Sequence, residues 1–182
     1  QAVVADLAGA EWHGQVGAEF DAVLNCVAAG GGGAEGYRRS YLEGMRSVLA
    51  WARRARVGTL VYTSSTSVYA QGGGGRVDES MAAEGRNETA RILVETENLL
   101  RHGSETPAFR WFILRLAGIY GPGQNALTQL KAGTARRIIK KDQVFNRIHV
   151  ADIADAIAAC IARGQEGRRG ERLLSVVAKR PG

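Results

Sequence analysis

Short apolar runs of strand length alternate along this chain with stretches whose apolar residues fall at helical spacing, and few folds accommodate that alternation. Residues 21–27 (DAVLNCV), 59–63 (TLVYT), 111–115 (WFILR) and 173–177 (LLSVV) read as strands. Val3 and Val4 read as the end of another, entering a loop at Asp6. Between them, 37–55 reads as a helix with Tyr41, Met45, Val48 and Leu49 on one face, stopped by Gly58. A second helix covers 88–101, with Ile92, Leu93, Leu99 and Leu100 inward, and a third covers 127–140. A fourth covers 150–163, with Ile153, Ile157, Cys160 and Ile161 apolar and Asp152 and Asp155 near its positive end. The strands are apolar nearly throughout, which predicts a parallel sheet covered by helices on both faces.

Composition narrows the class further. The 182 residues suffice for one domain with a sizeable core, and 45% apolar with 23% charged residues is ordinary globular usage. No internal repeat or domain boundary stands out, and the glycine tracts 30–33 and 72–75 read as loops. No apolar run approaches the ~18 residues of a membrane span, and the first residues lack the basic-then-apolar order of a signal peptide. Cys26 and Cys160 lie far apart in apolar sequence, so no disulfide framework is expected and the cytoplasm is the expected compartment. His13, His102 and His149 are dispersed, which predicts no metal site. The net charge of +6 is carried mostly by arginine. Arginine suits bidentate phosphate recognition, yet the residues are scattered without a basic tract, as on ordinary solvated faces.

In a parallel sheet of this kind ligands collect at the carboxyl ends of the strands. Residues 25–29 (NCVAA) follow one strand with small side chains that let a flat ligand approach the backbone. Residues 63–69 (TSSTSVY) follow the next with a cluster of hydroxyls, 115–123 (RLAGIYGPG) follow the third, and 147–152 (RIHVAD) open a helix. Each alone is ordinary loop chemistry. Their order and spacing together resemble the extended short-chain dehydrogenase/reductase family, which includes the nucleotide-sugar epimerases and dehydratases. The pattern S-S/T-x-x-V-Y-G is similar to residues 64–69, and R-x-x-N-x-Y-G-P-G is similar to 115–123 with Gly118 in place of asparagine. R-x-x-H-V-x-D resembles the region 146–152, and the turn near the adenine resembles Asp6 and Leu7. The resemblance covers about residues 2–177.

The resemblance implies a Rossmann-like doubly wound sheet, truncated in its N-terminal half and lacking most of the C-terminal substrate region. It implies one partial NAD(P)-binding domain over 1–182, with 118–150 contributing to a small substrate-side subdomain. NAD or NADP is the implied cofactor. Carried over by position, Asp6 and Leu7 border the adenine, and Cys26, Val27 and Ala28 line the cofactor cleft. Thr63 and Ser64 shape the floor under the nicotinamide, and Leu116 and Ala117 touch its side. Ser65 holds the hydroxyl that hydrogen-bonds the reacting oxygen, since a hydroxyl can both donate to and accept from an interconverting carbonyl/hydroxyl pair. Tyr120 and Arg147 face the substrate, Arg147 toward a phosphate.

Two departures qualify the resemblance. The glycine-rich turn that holds a pyrophosphate is missing, and the segment 121–126 (GPGQNA), which matches G-x-G-x-x-A, fits the family's later loop better. The expected place of the fingerprint is sequence upstream of Gln1. The Tyr-x-x-x-Lys pair is also absent: aligning Glu97 with the family's glutamate puts Thr89 and Leu93 at its two positions, and a shift by two gives Asn87 and Arg91. Arg91 and Tyr120 are the nearby candidates for replacement chemistry. These features resemble the atypical subgroup of the family. They predict an NAD(P)-dependent epimerase-, dehydratase- or reductase-like protein acting on a small, nucleotide-linked or related substrate. The alternative is a non-catalytic nucleotide- or RNA-binding protein on the same fold, against which the lack of a concentrated basic face speaks. A homodimer through the helix 37–55 is a further option, and no membrane partner is expected.

Overall fold

A computed structural model of the protein describes residues 2–72, 74–102, 109–136, 145–165 and 172–176, the backbone alone for 165 and 172–176. Four parallel strands form the main sheet in the order β1-β2-β3-β6: β1 (Glu19–Asn25), β2 (Arg56–Ser65), β3 (Arg110–Leu116) and β6 (Arg172–Val176). Two short strands, β4 (Gly118–Tyr120) and β5 (Arg147–His149), pair in parallel as a separate small sheet immediately beyond the end of β3.

Alternation along β2 and β3 explains why both faces are covered. Leu60 and Tyr62 share one side with Trp111 and Ile113, where Met45, Val48 and Trp51 of α2 (Gly44–Ala52) and Leu100 of α3 (Glu88–His102) complete a core with Trp12 and Phe109. Val61, Phe112 and Leu114 point to the other side, against Ile153 and Cys160 of α5 (Val150–Gln165). Each fully buried side chain of this kind contributes about 1.5–3 kcal/mol. Two continuous layers of such residues therefore fix which ends of the strands remain open. Among the described residues no helix is long and apolar enough to cross a membrane.

The structure corrects the expected elements at several points. The first helical segment starts earlier, as α1 (Gly33–Tyr37), passes through a π-helical turn (Arg38–Glu43), and continues as α2 to Ala52. Gly58 is no helix stop. It lies inside β2, where a Cβ would stand 2.4 Å from the Asp21 carbonyl oxygen, so glycine lets β1 and β2 come together at this point. Val3 and Val4 form no strand, since no described strand lies beyond β1 to pair with them; Val3 instead packs on the core and Val4 is exposed. The helix expected over 127–140 is α4 (Ala126–Lys131). It ends at Gly133, whose φ of 68° is left-handed, with Thr134 N donating to the Gln129 carbonyl at 2.9 Å and Gly133 N to Leu130 at 3.1 Å. That is a Schellman stop; residues 137–140 and 177 lie outside the described residues.

One buried hydroxyl marks a local imperfection. Tyr62 is 1% exposed and its hydroxyl has no hydrogen-bond partner among the described residues. Burial, then the nearby Glu97 and Tyr41, push its pKa far above the usual tyrosine range. The unfolded chain releases that proton near pH ~10 while the folded chain retains it, so Tyr62 contributes to loss of stability as pH rises above ~10. Tyr62→Phe is expected to change neutral-pH stability by less than ~1 kcal/mol, because no bond is lost. It should also flatten the alkaline limb by up to ~1.4 kcal/mol per pH unit. Denaturant unfolding at neutral pH and above pH 10 checks both; an unchanged alkaline slope contradicts the assignment.

Candidate functional site

The carboxyl ends of β1, β2 and β3 meet along one edge. The parallel register pairs Asn25 with Tyr62 and Ser65 with Leu116, and carries Leu116 on to Val176 of β6. Residues 26–28 continue β1 beyond that edge, and Cys26, Val27 and Ala28 are exposed there. Asn25 itself is buried, and its Oδ1 accepts from the Val27 amide at 3.4 Å, which bends the chain over the strand tips. Leu116 and Ala117 are buried at the end of β3. Thr63 and Ser65 are partly buried, on the opposite side of β2 from Ser64.

Ser65 has a local duty. Its Oγ accepts from the Ser67 amide at 3.1 Å and caps a 3-10 turn, Thr66–Val68, that steers the chain off the sheet. The hydroxyl proton remains available to donate to a ligand oxygen. Ser64 is engaged elsewhere: it is 6% exposed and donates to Glu97 Oε1 at 2.6 Å, away from the exposed tips. What Ser64 brings to the edge is backbone.

Beneath the edge lies a buried polar cluster that the motif reading missed. Arg115 of β3 and Glu97 of α3 are each 1% exposed, joined from Nη2 to Oε2 at 2.6 Å and from Nε to Oε1 at 3.1 Å. The guanidinium stacks over the Tyr69 ring, 4.8 Å from its centre, and its Nη1 has no hydrogen-bond partner among the described residues. Burial opposes the guanidinium charge, but Glu97 and Tyr69 outweigh it and hold the Arg115 pKa above its ordinary value. The signal was legible: Arg115 is a charge inside an apolar strand, and Glu97 falls on the buried stripe of α3 four residues from Leu93.

The remaining candidates lie on other elements. Asp6 ion-pairs with Arg39 of the π turn, and its Oδ1 accepts from the Ala8 amide at 3.0 Å. Leu7 and Val27 share the wall of an apolar pocket of about 290 Å³ with Trp12, Phe20 and Trp51. Tyr120 and Arg147 belong to the small sheet, where Gly118 pairs with Arg147 and Tyr120 with His149. Tyr120 meets the His149 ring edge-on at 5.1 Å, and the exposed Arg147 guanidinium lies 5.8 Å from the Phe145 ring centre. His149 Nδ1 accepts from the Ala151 amide at 3.2 Å and so caps α5. A side chain at Gly118 would come within 3.3 Å of Arg147 Cδ, so the glycine leaves Arg147 its place. At the start of α3, Asn87 Oδ1 accepts from the Ala90 amide and the Thr89 hydroxyl, both at 2.9 Å, as a helix cap; Arg91 is exposed and Leu93 is 3% exposed.

A doubly wound parallel sheet with hydroxyl-bearing and small residues at its carboxyl edge defines a nucleotide-binding class of α/β protein. The chain belongs to the NAD dependent epimerase/dehydratase family, whose model matches residues 2–174. It is 29% identical over 127 residues to the protein YeeZ of Escherichia coli K12, a match covering 70% of this chain and 44% of that protein. A solved structure from Methylobacillus flagellatus, described as an NAD-dependent epimerase/dehydratase, superposes with a TM-score of 0.69 at 27% identity, covering all of this chain and 62% of that one. The structure of MoeE5 with UDP-glucose and NAD superposes with a TM-score of 0.82 at 20% identity, covering 97% of this chain and 62% of that one, a likeness of Rossmann-like fold. The chain therefore spans less than half the length of the curated relative, and under two thirds of these structures.

Proposed function

We propose that the protein is an NAD(P)-dependent oxidoreductase of the epimerase/dehydratase kind, acting on a nucleotide-linked sugar or a related hydroxyl/carbonyl substrate. The observation that carries this reading is the shared edge where the β1 tip, paired from Asn25 to Tyr62 and leading into residues 26–28, lies alongside β2 and β3, paired from Ser65 to Leu116. The residues there suit a nicotinamide nucleotide: small exposed side chains after β1, a hydroxyl donor at Ser65 on β2, and the apolar Leu116 and Ala117 at the end of β3 next to it. The bound nucleotide would supply hydride chemistry. Thr63 and the Ser64 backbone would form the floor, and Ser65 would donate to the reacting oxygen. Asp6 and Leu7 would lie toward the adenine. The small sheet, with Tyr120 and Arg147 in the region 118–150, would face the substrate and its phosphate. That MoeE5 is seen with UDP-glucose and NAD supports both the cofactor and a nucleotide-linked substrate.

Calorimetry on the full-length protein tests the reading. NAD(H) or NADP(H) is expected to bind, and absence of binding to either dinucleotide ends it. Ser65→Ala is expected to keep cofactor affinity and to slow hydride transfer by about 10²-fold or more. The second reading, a non-catalytic nucleotide- or RNA-binding protein, draws on the buried Leu93 at the position aligned with the family's lysine. It predicts RNA binding that weakens steeply with added salt.

A further inference from the structure

After β1 the chain crosses the open edge through residues 26–29 and turns on Gly31, Gly32 and Gly33, all with positive φ. Gly36 N donates to the Gly32 carbonyl at 3.1 Å, and a Cβ on Gly36 would stand 1.9 Å from the Gly31 carbonyl oxygen. The first turn of α1 is thus pressed against the glycine tract. From there the helix runs without a break into the π turn, and Tyr41 sits on that wide turn. Its half-buried ring packs against two clusters at once: the α2-side core, and the group of Val68, Tyr69 and Leu93. Tyr37 lies beside it with ring centres 5.0 Å apart.

One side chain therefore touches both the turn that follows Ser65 and the α3 position aligned with the family's lysine. Single π-helical turns recur at functional sites because they displace side chains from regular helical positions. We propose that Tyr41 is a ligand-contacting residue of the nicotinamide cleft, bringing to it from the π turn a phenol that α3 does not carry. The inference rests on the cofactor reading above. Burial, with Tyr37 next, raises the Tyr41 pKa against the opposing Ala29 amide. The phenol is thus a donor at neutral pH and no base, suited to an oxygen of the nucleotide or of a substrate held beside it.

Fluorotyrosine placed at position 41 alone in the full-length protein tests this by fluorine NMR. Cofactor binding is measured separately by calorimetry, and the same label at Tyr62 serves as a core reference. Saturating NADH is expected to move the position-41 resonance by more than its linewidth and to move the Tyr62 label less. A still resonance at 41 while calorimetry reports binding overturns the role of Tyr41 and leaves the cofactor reading standing. Equal shifts at both positions report a general rearrangement and also overturn it. No heat with NADH or NADPH removes the cofactor reading, and this one with it.

Discussion

Arg115→Met is expected to destabilise the protein by about 3–5 kcal/mol, because it leaves Glu97 as an uncompensated charge in the core. Both partners are 1% exposed, so solvent cannot screen what remains. Ser64 would still donate to Glu97, but one neutral hydroxyl cannot replace a two-point guanidinium contact. Glu97→Gln should lose somewhat less, since it keeps the shape and an acceptor oxygen for Arg115. The double change Arg115→Met with Glu97→Leu should recover much of the loss, because removing both charges removes their desolvation cost as well. Urea unfolding of the full-length protein measures all three. A single Arg115→Met loss below about 1 kcal/mol would mean that the pair behaves as a surface salt bridge, contrary to its burial.

The strands were legible in the sequence because burial on both faces leaves continuous apolar cores, Leu60 to Tyr62 and Trp111 to Leu114, between turn signals. Boundaries were less so, and for local reasons. Gly58 reads as a helix stop in sequence, yet its role depends on the Asp21 carbonyl across the sheet, 2.4 Å from where a Cβ would stand, which no local pattern reports. Gly133 is a stop signal inside the span 127–140 that reads as a helix, and its left-handed φ ends α4 there. The π turn left no visible mark, since one extra residue per turn does not disturb the spacing of Tyr41, Met45 and Val48 enough to notice. At the site, the strand-end rule located Cys26, Ser65 and Leu116 on one edge. It could not say which side of β2 each hydroxyl would take, so Ser64 was grouped with Thr63 although it binds Glu97 on the far face. Arg115 and Glu97 each stand out in the sequence as charges on buried faces, but that the strand residue pairs with the helix residue is revealed by packing.

Leu93→Lys, the change that would restore a lysine at the family's position, is expected to cost stability and to restore no turnover. Leu93 is 3% exposed and sits among Val68 and Tyr69, with Tyr37, Tyr41 and Val94 packed around the cluster. An ammonium there has no carboxylate within its cluster, so burial should depress its pKa; a drop of about 3 units costs about 4 kcal/mol at neutral pH. The sign of the pH dependence identifies the cause. With a depressed folded pKa, the unfolded chain binds the extra proton between that value and ~10.4, so stability should rise as pH is raised from 7 toward 10. That limb runs opposite to the alkaline loss produced by Tyr62. Unfolding by denaturant at three pH values checks it, with Leu93→Met as the apolar control, expected to cost under about 1.5 kcal/mol. If the lysine variant instead matched the parent at pH 7 and gained hydride transfer, position 93 would be an open part of the cleft. The apolar closure argued from Val68, Tyr69 and Tyr41 would then be wrong. The expected result ties position 93 to the core itself: its leucine completes a hydrophobic contact on which the turn after Ser65 rests.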